Sequence, residues 1–180
     1  QFSELITLQS NFKCINYIYM NTPGTCRLLL GPMFAKKSTR LIEELNTHCD
    51  VGLKCLFINH SDHGNRQTQA GDTYVTTHYS QYAGLHPDIQ KCMVNKLSKV
   101  NVDMYDAIGI DEGQFFEDLN ATVRKWVFEK GKIVIVASLD GDSDMNPFGQ
   151  AHDLECICDQ INVVRLTAFC KSCLQQRKLV

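Results

Sequence analysis

Gly31, Lys37 and Ser38 stand at the spacing of a phosphate-binding loop, within the run LLLGPMFAKKSTRLIEEL from 28 to 45. Such a loop needs Gly, four residues, Gly, Lys, then Ser or Thr, and here Lys36 fills the place of the second glycine. Backbone N–H groups of the turn and the start of the following helix would form a positive nest for phosphate oxygens. Lys37 would reach the terminal phosphates, and the Ser38 hydroxyl would sit on Mg²⁺. The alternative is an ordinary strand–turn–helix with a basic first turn. Two lysines there oppose the helix dipole, so folding alone gives little reason for them. At 36, glycine allows close backbone approach, whereas a lysine adds a Cβ and, in a sparsely populated conformation, a strain of about 1–3 kcal/mol. That predicts weakened rather than abolished phosphate binding.

A second constellation lies in IGIDEGQFFEDL, 108 to 119. Asp111 and Glu112 close a buried strand at its carboxyl end, where open parallel sheets place their ligands. Asp111 has the position of an acid that holds Mg²⁺. Adjacent strand residues point to opposite faces, so Glu112 can take a separate role, as a base accepting a proton from a substrate hydroxyl. The alternative is a turn with two solvated acids. Phe115 and Phe116 read equally well as ordinary core.

The elements that must position these groups follow from apolar spacing. Strands are predicted over 26–31, 52–60, 105–112, 133–140 and 160–170. Helices are predicted over 37–49, 86–100 and 116–132, the last stopped by Gly131, with a polar loop over 61–82. Strands alternating with helices imply an α/β fold, a P-loop NTPase-like parallel sheet flanked by helices with right-handed crossovers. A chain of 180 residues with 44% apolar content buries one core. The net charge of −2 argues against a general nucleic-acid binder. No apolar run approaches the roughly 20 residues of a membrane span. Residues 1–21 lack a basic leader and read as an N-terminal extension, with Met20 a candidate initiator. Nine cysteines, an odd set, are expected as reduced thiols in a cytoplasmic protein.

Four blocks, LLLGPMFAKKST, IGIDEGQFF, IVIVASLDGDSDMNPFG and VVRLTAFCKSC, resemble in order and spacing the type II (cellular and poxviral) thymidine kinase family, over about residues 24 to 173. The resemblance implies transfer of the γ-phosphoryl of ATP to the 5′-hydroxyl of thymidine by a kinase domain over 22–168. The loop Gly31, Pro32, Met33, Phe34, Ala35, Lys36, Lys37, Ser38 and Thr39 would bind ATP, with Asp111 and Gln114. Ser38 and Asp111 would hold Mg²⁺, and Glu112 would be the catalytic base. Met33, Phe115, Leu139, Ser143 and Phe148 match positions around thymine. Cys170 and Cys173 match the first pair of ligands to a structural zinc, and the family is homotetrameric.

This chain departs from the family pattern at several places. Ser143 replaces a phenylalanine that stacks on thymine, a loss of about 1 kcal/mol of affinity by the size of aromatic pair terms. Asp144, Met145 and Asn146 replace a segment with two positive charges. The short acidic–basic step after the second strand is stretched as SDHGNR, 61–66, and another step survives only as Thr77-His78-Tyr79. A tetrahedral zinc needs four ligands. Only Cys170 and Cys173 form a CxxC pair, so 169–180 is expected to be the truncated start of an incomplete zinc-ribbon and lasso subdomain. Cys156, Cys158 and His152 could complete a makeshift site; two free thiols or a redox pair are the alternatives. A catalytically silent nucleotide-binding relative, or a deoxynucleoside kinase of altered base preference, is the rival to thymidine phosphorylation.

Overall fold

The computed structural model describes residues 24–61, 76–77, 80–81, 84–159 and 162–168. The N-terminal extension, residues 62–66, His78, Tyr79, and the segment with Cys170 and Cys173 lie outside the described residues. The fold is built on β1 (Thr25–Leu30), β2 (Cys55–His60), β5 (Gln90–Val94), β6 (Ala107–Ile110), β7 (Ile133–Ser138) and β8 (Val163–Arg165). These form one six-stranded sheet in the order β5-β2-β6-β7-β1-β8, with every pairing parallel. Within the predicted polar loop, β3 (Thr76–Thr77) and β4 (Ser80–Gln81) pair antiparallel by themselves.

Among the described residues two helices flank the sheet, α1 (Lys37–Asp50) and α2 (Leu119–Phe128). Successive strand residues point to opposite faces, so the buried strands carry apolar residues on both. Leu28, Leu30, Ile108, Ile110, Val134 and Val136 pack with Val123 and Trp126 of α2. Leu29, Phe57, Ile135 and Ala137 pack with Leu41, Ile42 and Leu45 of α1. Fully burying each such side chain stabilises the fold by about 1.5–3 kcal/mol. At Gly109 a Cβ would meet the Leu45 and Leu41 side chains at 3.1 and 3.2 Å, so the glycine lets α1 sit close on β6.

Three predicted elements need correction. Residues 86–100 are not a helix: Gln90–Val94 is an edge strand parallel to β2, followed by a 3-10 turn at Leu97–Lys99. Ile89, Cys92, Val94 and Leu97 fit both periods over so short a run, and an edge strand with exposed Lys91 and Met93 lacks the apolar continuity of a central one. Helix α2 begins at Leu119 rather than 116, because Gly113–Phe115 forms a 3-10 turn and Phe116 follows it in an extended conformation. Strand β2 begins at Cys55, after a turn in which Gly52 takes φ 90° and its N–H donates to the Cys49 carbonyl.

Candidate active site

A parallel sheet gathers the carboxyl ends of its strands on one edge. The loop after β1, His60 at the end of β2, Asp111 after β6 and Leu139 after β7 all leave from there. The phosphate-type loop starts at Gly31, where a Cβ would collide with the Leu166 carbonyl oxygen of the segment after β8. The loop then takes two left-handed non-glycine residues, Phe34 at φ 67° and Lys36 at φ 61°. Lys36 is therefore in the conformation that glycine serves best, and the left-handed backbone costs about 1–2 kcal/mol in an L residue. Its side chain is exposed, as are Met33 and Phe34. The Lys37 ammonium donates to the Pro32 carbonyl at 2.8 Å, folding back over the loop. Burial pulls the Lys37 pKa down, while the charges of Glu112, Asp111 and Asp140 hold it up.

The two constellations meet at Ser38 and Asp111. The Ser38 hydroxyl donates to Asp111 Oδ1 at 3.0 Å, and the Glu112 N–H donates to the same oxygen at 3.0 Å. Asp111 is 5% exposed. Burial pushes its carboxyl up to about 7, the Glu112 charge adds to this, and the Ser38 hydroxyl, the Glu112 N–H and Lys37 oppose it. A hydroxyl and a carboxylate are hard oxygen donors, and Mg²⁺ typically binds through one or two carboxylates plus substrate phosphates. The donor set fits such an ion, whose charge would offset the cost of keeping Asp111 ionised. Among the described residues no group of three or more His, Cys, Asp or Glu converges as a metal cage.

Beside Asp111 the chain turns sharply, with Glu112 left-handed at φ 54°, ψ 45°. The strand has already ended at Ile110, so this turn, rather than strand alternation, separates the two carboxylates. Gln114 Nε2 donates to Glu112 Oε2 at 2.6 Å. Phe115 packs edge-on against Phe148 at 5.6 Å between ring centroids, while Phe116 is fully buried core. Leu139 is half-buried, and Ser143 is exposed on the loop after β7.

Three contacts at this edge lie beyond what the motifs specify. His60 is 6% exposed and packs its ring against Phe115 and Phe116, with centroids 5.8 and 4.9 Å away. Its place at the carboxyl end of a buried strand was the available signal. Gly149 takes φ 66°, and a Cβ there would overlap the Gln114 carbonyl, so the Pro-Phe-Gly step is seated directly on the acidic turn. The two His152 ring nitrogens lie 2.7 Å from Glu155 Oε1 and 2.7 Å from the Asp140 carbonyl oxygen. His152 thus faces Glu155 and Asp140, the Cys156 thiol donates to the Asp153 carbonyl at 3.1 Å, and Cys158 packs on the core, while Cys170 and Cys173, the other proposed zinc ligands, lie outside the described residues.

The thymidine kinase family model matches residues 24–180. A thymidine kinase of rice is 37% identical over 153 residues, which is 84% of this chain and 54% of the rice protein. Thymidine kinase 1 of Dictyostelium discoideum is 33% identical over 85% of this chain and 64% of its own length. The Monkeypox virus thymidine kinase is 35% identical over 85% of this chain and 80% of its own length. The chain thus spans between about half and two thirds of the rice and Dictyostelium proteins it matches. With this parallel sheet, and with the family match running through residues 24–180, the chain belongs to the thymidine kinase family.

Proposed function

We propose that the protein transfers the γ-phosphoryl of ATP to the 5′-hydroxyl of thymidine, in the cytoplasm. The observation that carries the reading is the meeting of Ser38 and Asp111 at 3.0 Å, with Lys37 and Glu112 in the same electrostatic field. Residues Gly31–Thr39 hold the triphosphate, through loop N–H groups and the Lys37 ammonium. Ser38 and Asp111 would hold Mg²⁺, which would neutralise charge on the phosphate oxygens. Glu112 accepts the proton of the 5′-hydroxyl, and its neighbour Gln114 stands within the same turn. Phe115 and Phe148, with Met33, Leu139 and Ser143, flank the nucleobase. The protein chemistry is positioning and charge stabilisation, which is most of what phosphoryl transfer requires.

A second reading, a nucleotide-binding relative without turnover, is favoured by the left-handed Lys36 in the loop. The deciding experiment supplies purified protein with ATP, Mg²⁺ and a panel of nucleosides. Formation of thymidine monophosphate establishes the first reading. ATP binding without any phosphorylated nucleoside establishes the second.

A further inference from the structure

We infer that Gln114 is the positioning residue for the Glu112 carboxylate, tying it to the end of β7. The inference deepens the proposed function, since it rests on Glu112 acting as the base. Gln114 is 4% exposed, and both ends of its side-chain amide are engaged. Its Oε1 accepts from the Ser138 hydroxyl at 3.1 Å and from the Leu139 N–H at 3.1 Å. Its Nε2 donates to Glu112 Oε2 at 2.6 Å. The orientation of the amide follows from chemistry: a backbone N–H can only donate, so oxygen must face Leu139 and nitrogen must face Glu112. Reversing the amide would set two donors against each other at Leu139 and two acceptors at Glu112.

The backbone under this amide is fixed as firmly as the side chain. A Cβ on Gly113 would meet Val136 Cγ1 at 2.8 Å, so the turn lies flat on β7. From the other side Gly149 is packed on the Gln114 backbone, with 2.8 Å between a Cβ built there and the Gln114 Cα. Glu112 is thereby held relative to Leu139, a residue that flanks the nucleobase in the proposed function. One amide spans the proton acceptor and the wall of the substrate site. Misplacing a reacting group by about 1 Å can cost about a hundredfold in rate, so a clamp of this kind acts on turnover rather than on affinity.

Two full-length variants test this. Gln114→Met keeps the volume and removes all three hydrogen bonds. Gln114→Glu keeps an acceptor for Ser138 and Leu139 but turns the donor facing Glu112 into an acceptor. Both are expected to lower kcat for thymidine about ten- to a hundredfold, with KM for thymidine and ATP changed less than about threefold. Wild-type kcat in Gln114→Glu, or a loss confined to KM, overturns the clamp. Melting curves report whether each variant folds. A second readout does not need turnover: in ¹⁵N-labelled protein the Gln114 side-chain amide signals, identified by their loss in Gln114→Met, should move in Glu112→Ala. Signals that stay in place overturn the inference even in an active enzyme. If the wild type turns over no thymidine, the proposed function fails, and the amide signals alone decide the clamp: movement supports it and no movement overturns it.

Discussion

The turn after β1 and the turn after β6 leave the same edge of one sheet, and both contain left-handed non-glycine residues, yet they are held in different ways. The loop Gly31–Ser38 is open: Met33 and Phe34 are 50% and 53% exposed, and its internal bonds include the Ala35 N–H to the Pro32 carbonyl at 3.3 Å and the Lys37 ammonium to the same oxygen. The acidic turn is closed: Asp111, Gly113, Gln114 and Phe116 are buried, and side-chain bonds tie it to β7. The difference suits the chemistry proposed for each. A phosphate nest must present unoccupied N–H groups to a ligand, whereas a base must stay within a fraction of an ångström of its substrate.

The largest effect should come from breaking the closed side at its centre. Glu112→Gln keeps shape and removes the proton acceptor, so thymidine phosphorylation should fall by about a hundred- to ten-thousandfold, while ATP titrates as in the wild type. Unchanged turnover in that variant excludes Glu112 as the base. Next comes the seat of the turn. Gly149→Ala puts a side chain on a left-handed residue and against the Gln114 backbone, which should cost about 2–3 kcal/mol of stability in denaturant unfolding. In the fraction that folds, kcat should fall further than ATP affinity. A loss of ATP affinity with kcat intact would mean the seat serves the open loop instead.

The open side should respond in the opposite direction. Lys36→Gly relieves about 1–2 kcal/mol of left-handed strain and adds about 0.5–1 kcal/mol of unfolded-state entropy, leaving a net gain of about 0.5–1 kcal/mol. ATP binding should tighten, because the backbone regains close approach. If Lys36 is itself a phosphate ligand, calorimetry will show weaker binding instead, more so at low salt where charge is less screened.

A further effect, of similar size and without a direct bearing on the site, concerns the exit of the acidic turn. Asp118 precedes α2, but its carboxylate accepts the N–H groups of Leu97 at 3.1 Å and Ser98 at 2.8 Å, capping the turn after β5. Burial pushes its pKa up, yet the Ser98 and Leu97 donors outweigh that and hold it below the usual carboxylate value of 3.8. A depressed folded-state value means the stabilisation is present above the unfolded pKa and disappears as pH falls through the folded one. Asp118→Ala should therefore cost about 1 kcal/mol near neutral pH. In urea titrations the gap from wild type should close below about pH 4, and a gap that persists there would count against the cap.

Residue types and local spacing were enough for the central strands, for α1 from Lys37 onward, and for the pairing of a lysine–serine loop with an acidic strand end. Those signals are local: a buried parallel strand is apolar on both faces, and a helix repeats its apolar face within one or two turns. Gly131, which takes φ 61° just beyond α2, was readable for the same reason. What the sequence left undecided depends on partners distant along the chain. Strand β5 is a strand because β2 offers it a free ladder, not because of its own short apolar pattern. The start of α2 lies beyond the 3-10 turn at Gly113–Phe115, Asp118 just before it is drawn to Leu97 and Ser98, and the Glu112 turn is set by contacts from β7 and Gly149. Lys36 shows the division most plainly: sequence showed that a glycine was missing from the motif, but only the folded backbone showed a left-handed residue there, because φ at one position is fixed by the loop closing between β1 and α1.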